Sequence, residues 1–172
     1  MFKMFNALDE LFARTQENDE LEWMDLLGNR SKCIFKWKPA IEPGKLIELR
    51  EKNHLNLPES YCDFLLKSNG AVLYDDDDED SGYKLLSLEE AIAFTKEMKE
   101  VGYNLKEEWF IFMTTFFSSD MFIFDMKKLE TDTYIIDGIG DYSEREWKYI
   151  RGDFRIFMNR LFIANGCQYW KY

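Results

Sequence analysis

The tract YDDDDEDSG, residues 74–82, sets six acids in a row, Asp75, Asp76, Asp77, Asp78, Glu79 and Asp80. Carboxylates at that density do one of two things: they ligate a hard cation, or they present a negative field to a basic partner. The calcium reading fails on spacing. An EF-hand loop needs oxygen ligands at positions 1, 3, 5 and 12, with glycine at 6. A loop opening at Asp77 places Gly82 at position 6 but Leu88 at position 12; one opening at Asp78 places Glu89 at 12 but Tyr83 at 6. The run then reads equally as a solvated, self-repelling loop and as a contact for a basic protein.

Other chemistry-bearing residues are thinner. Asp137 and Asp141, in DGIGDY, have the spacing of an acid/base couple, but chance pairs abound among 33 acids. Gly138 and Gly140 mark a turn leaving a strand, and the segment lacks a full GxGxxG. His54 is the single histidine, so a histidine metal site or a Ser-His-Asp triad would have to be built around it. Its place beside Asn53 and Asn56 suits a helix C-terminus, where it favours the dipole. Cys33, Cys62 and Cys167 are far apart, form no CxxC and read as buried thiols; no serine sits in GxSxG. No catalytic, cofactor or metal set is expected. A hydrolase built on an unrecognised carboxylate site is the remotest of the readings.

A chain of 172 residues with 46% apolar and 17% aromatic residues has the material for one well-packed domain. Its net charge of −11 repels nucleic acid and anionic membranes and favours basic proteins. The first residues, MFKMFNALDELFARTQ, carry charges where a signal peptide is continuously apolar. No segment approaches the roughly 20 apolar residues of a membrane span. A cytoplasmic location is expected.

The elements that position these residues follow from periodicity. Phe5, Leu8, Leu11 and Phe12 have helical spacing. Leu21, Trp23, Met24, Leu26 and Leu27 form a second apolar group closing at Gly28-Asn29, and SKCIFKWK is a strand or an irregular crossing. Pro43 and Pro58 each stand at a helix first turn; the first helix presents Leu46, Ile47 and Leu49, the second Tyr61, Phe64, Leu65 and Ser68. Ser87 and Glu90 form a capping box for a helix lined by Ala91, Phe94, Met98 and Val101. EWFIFM, MFIFDM and TYIID read as strands, the last two as a hairpin, and the first two lack alternation because both faces are covered. Asp153 caps a last helix carrying Phe154, Phe157, Met158 and Leu161. The order predicts an α+β domain with an antiparallel sheet of about four to six strands packed with helices.

These elements resemble the SUKH superfamily, which includes bacterial immunity proteins and fungal regulators of cell-wall synthesis. LPESYCDFLLKSNG fits its LPxxYxxFLxxxNG pattern through Leu57, Pro58, Tyr61, Phe64, Leu65, Asn69 and Gly70. PAIEPGKLIELRE is similar to its leading helix, YKLLSLEEAI to the segment after the acidic loop, FIFDMKK to a strand ending in aspartate, and YIRGDFRIFMNRL to its closing helix. The resemblance covers residues 39–163 and leaves 1–38 as a helical extension of a single domain spanning 1–172. His54 stands where the family usually has a helix-ending glycine, and Ala71 where a second glycine is common.

The resemblance implies a non-enzymatic protein that neutralises a cognate toxin, often a nuclease, by direct contact, the motif residues being a folding signature. A regulatory scaffold for cellular proteins is the alternative. The partner would be basic, and the expected contacts are the acids 75–80 together with Trp147, whose charged neighbours in SEREWKY suggest a surface position. The tail CQYWKY is a further candidate, though packing against the core is the commoner fate of such residues.

Overall fold

The computed structural model describes residues 7–24, 28, 30–76, 81–140 and 142–171. Five helices, α1 (Ala7–Thr15), α2 (Pro43–Lys52), α3 (Glu59–Leu65), α4 (Leu88–Glu100) and α5 (Phe154–Ile163), accompany one sheet. Its strands are β1 (Glu20–Met24), β2 (Arg30–Trp37), β3 (Ala71–Asp76), β4 (Ser81–Leu85), β5 (Trp109–Thr115), β6 (Met121–Asp125), β7 (Ile135–Gly138) and β8 (Lys148–Ile150). Every neighbouring pair is antiparallel and the spatial order is the chain order, a meander.

The α+β class and the antiparallel sheet are as expected; the strand number is not, for the sheet has eight strands rather than four to six. The extension before residue 39 is only partly helical. After α1, residues 20–24 and 30–37 pair as β1 and β2. In ELEWM the acids alternate with apolar residues, a period of two that the neighbouring leucines disguise as a helical group.

Aromatic packing explains why β5 and β6 lack alternation. Phe112 and Phe124 stack at 3.9 Å. Tyr61 of α3 meets Phe124 edge-on at 5.1 Å and Phe154 of α5 at 5.3 Å, so α3 and α5 seal that face. Trp109, on the other side of β5 from Phe110, stacks on Trp147 at 5.9 Å. At a bulge between Ile111 and Met113, the Ile111 N–H donates to Thr95 Oγ1 at 2.9 Å, which pins α4 to β5.

The helix ends follow their sequence signals. Ser87 Oγ accepts from the Glu90 N–H and Glu90 Oε2 from the Ser87 N–H, completing the capping box. Asp153 accepts from the Ile156 N–H at 2.8 Å. The Asn-Gly pair of the family motif has a specific task. Asn69 Oδ1 accepts from the Leu88 N–H at 2.9 Å, joining the end of α3 to the start of α4. A Cβ on Gly70 would lie 2.8 Å from both Leu85 O and Ser87 N, so only glycine fits there. Leu46 and Leu49 of α2 are buried, whereas Ile47 is 55% exposed. On α4, Ala91 is buried and Phe94 and Met98 are half-buried, and Val101, just past its end, faces solvent.

Candidate partner-binding surface

The acidic run begins inside the sheet. Leu73 pairs with Tyr83, but Asp76 pairs with Ser81, so β3 carries one residue more than β4 across the interval. The extra residue is a bulge, and Tyr74 takes φ +55° to make it. Gly82 lies opposite, and a Cβ there would approach Tyr74 O to 2.6 Å. The bulge turns the Tyr74 ring inward, 4.9 Å from Phe35, and its consequence reaches the acids.

Asp75 keeps a quarter of its side chain open and lies 3.9 Å from Lys36 Nζ. Asp76 is only 9% exposed, which corrects its assignment as an open contact residue. Asp77, Asp78, Glu79 and Asp80 lie outside the described residues; in sequence they join the paired ends Asp76 and Ser81. Burial, aided by the Asp76 charge, pushes the Cys33 thiol up to about 12, so Cys33 is no nucleophile at neutral pH. Burial likewise raises the Cys62 thiol, against the pull of Arg50.

Trp147 is 8% exposed, its ring on Trp109 and its indole N–H donating to Ile139 O at 2.9 Å. It is a core residue rather than an interface anchor. Glu146 and Lys148 are exposed while Trp147 between them points in, so charged neighbours in sequence were a poor guide to its side. The tail also packs inward: Trp170 lies 5.2 Å from Phe122 and 5.4 Å from Phe157.

Trp170 Nε1 donates to Asp137 Oδ2 at 2.9 Å. Burial raises the Asp137 carboxyl above the usual range, against the Trp170 hydrogen bond and the Lys171 charge. That contact ties the carboxylate to the tail, and its suggested partner Asp141 lies outside the described residues. His54 ends α2 at φ +52°, as the position of a family glycine implied. Among the described residues no group of three or more His, Cys, Asp or Glu side chains is placed to hold a metal ion. A cleft of about 260 Å³ between α1, β2 and α5, with Leu11, Phe35, Tyr74 and Phe162 in its lining, falls below the about 300–1,000 Å³ of typical small-molecule sites. No described helix is long and apolar enough to cross a membrane.

The meander brings the β3–β4, β5–β6 and β7–β8 connections to one end of the sheet. There the structure exposes residues that sequence reasoning passed over: Phe116 at 43%, Phe117 at 47% and Tyr142 at 56%. The available signal was the pair of phenylalanines in FFSS, at a place where a turn ordinarily carries small or polar residues.

A protein of Bacillus subtilis (strain 168), described as the uncharacterized protein YnaB, is 24% identical over 144 residues, covering 81% of this chain and 88% of its own. The family model described as SMI1 / KNR4 family (SUKH-1) matches residues 41–160, from the entry to α2 through most of α5. The match takes in the LPxxYxxFLxxxNG segment and the Asn-Gly junction, and with well over half of its length matched this chain belongs to the SMI1/KNR4 (SUKH-1) family.

Proposed function

We propose that this protein is an immunity protein that neutralises a cognate toxin, of nuclease type and basic surface, by direct contact. The observation that carries the reading is membership of a family that includes immunity proteins, in a chain of net charge −11 whose sequence sets six acids in a row at residues 75–80. A nuclease must hold phosphate and is therefore positive around its working cleft; an acidic protein matches that field and is steered onto it. Inhibition is by steric cover, with about 800 Å² buried on each partner and no covalent step. The protein works in the cytoplasm, where its thiols stay reduced.

The test is growth of cells expressing, one at a time, the candidate toxin domains of the source genome, with and without this protein. Rescue, together with loss of the purified toxin's activity at a one-to-one ratio, is the expected result. No rescue against any toxin domain of the same genome overturns the reading.

A further inference from the structure

Phe116 and Phe117 follow Thr115, the last residue of β5, and each leaves over two-fifths of its surface exposed. The turn does not need them. Thr115 Oγ1 lies 2.8 Å from Ser118 Oγ and 2.9 Å from Ser118 O, and the Asp120 N–H donates to Ser118 Oγ at 3.3 Å. Hydroxyls therefore close the connection. Phe117 touches the Tyr83 ring edge-on at 6.2 Å, and Phe116 makes no ring contact among the described residues. Two large, partly exposed apolar side chains in succession, unneeded for the turn that bears them, mark a contact surface.

The surroundings define what covers them. The Phe116 N–H donates to Gly82 O at 3.1 Å, one residue from Ser81, which pairs with Asp76. Phe116 thus sits about two strand spacings, roughly 10 Å, from the end of β3 where the acidic run starts. On the other flank a Cβ on Gly140 would lie 2.6 Å from Ser119, which brings the β7–β8 connection and its exposed Tyr142 alongside. Exposed aromatic side chains carried on adjoining connections are the material from which the apolar middle of a protein interface is built.

We infer that Phe116 and Phe117 are the apolar anchors by which this protein holds its toxin, inserted into an apolar depression within a basic protein surface. The inference rests on the immunity reading and names the contact that reading leaves open. Charge complementarity selects the occupant: the chain's net charge of −11 disfavours anionic lipid and nucleic acid and favours a basic protein.

The experiment uses the full chain, a catalytically disabled form of the toxin domain picked out by the rescue test, and vesicles of phosphatidylcholine and phosphatidylserine. Phe116→Ser, Phe117→Ser and the double variant are compared with wild type and with Ile163→Ser, a control at another exposed apolar residue. The double variant is expected to bind the toxin domain about 30-fold more weakly or worse, with Ile163→Ser unchanged. Should the double variant fold poorly, Phe116→Ser alone decides, and at least a tenfold loss is expected of it. Wild-type binding with the Phe variants within threefold of it overturns this inference and leaves the immunity reading standing. Absence of wild-type binding or rescue overturns both. Vesicle binding that depends on the two phenylalanines assigns the tip to a membrane and also overturns the inference.

Discussion

Lys38 Nζ donates to Glu90 Oε2 at 2.6 Å, joining the chain after β2 to the first turn of α4. Lys84 Nζ of β4 approaches the other carboxylate oxygen to 3.1 Å, so a single side chain unites a helix cap with β4 and with the residue that follows β2. Desolvation works to raise the Glu90 pKa, yet hydrogen bonds from Lys38, the Ser87 N–H and Lys84 together bring it from 4.5 down to about 2. A carboxyl depressed by folding contributes stability above its unfolded value and loses it as the pH falls toward the folded one. Glu90→Gln keeps the cap acceptor and removes the charge. Its stability deficit against wild type is expected to shrink between pH 4.5 and 2, whereas Glu90→Ala, losing the cap as well, costs about 1–2 kcal/mol at pH 7. Urea denaturation across that pH range reads both; a deficit independent of pH removes the ion pairs from the account.

His54 occupies the left-handed position of a helix-ending motif in which the Leu55 N–H donates to Arg50 O and the His54 N–H to Glu51 O. A side chain at φ +52° is strained, and glycine is not. His54→Gly is expected to raise stability by about 0.5–1 kcal/mol, the relief of strain exceeding the added freedom of the unfolded chain. A lowered denaturation midpoint would show that the imidazole earns its place at the helix dipole.

Tyr61 is fully buried, and its hydroxyl has no hydrogen-bond partner among the described residues. The ring does the packing, against Phe112, Phe124 and Phe154. Tyr61→Phe therefore removes an unsatisfied polar group and is expected to leave stability unchanged or raise it by about 1 kcal/mol. Calorimetric unfolding decides. A loss above about 1 kcal/mol would mean that the hydroxyl is bonded after all.

Replacing Asp75, Asp77 and Asp78 by Asn is expected to slow association with the toxin domain about tenfold or more in low salt and to flatten its salt dependence. Trp147→Phe, altering a buried ring, should lower stability and leave the association rate alone. Stopped-flow mixing at several ionic strengths separates these effects. Unchanged kinetics in the Asn variant would take the acidic hairpin out of the interface.

The chain's own letters determine its local punctuation. Pro43, the Ser87–Glu90 box, Asp153 and the Asn165-Gly166 stop act within a few residues of themselves, and α2, α4 and α5 begin or end where these lie. Continuous aromatic runs marked β5 and β6 because a strand buried on both faces needs no polar side. The tertiary structure alone decided the rest. The β2–β3 and β4–β5 pairings join segments far apart in the chain, and AVLYDD runs into its acids with no local sign that Asp75 and Asp76 still belong to a sheet. The same long-range geometry turned Trp147 inward and set Phe116 and Phe117 beside the acidic hairpin, since strand pairing joins segments some forty residues apart through contacts that no short window of sequence contains.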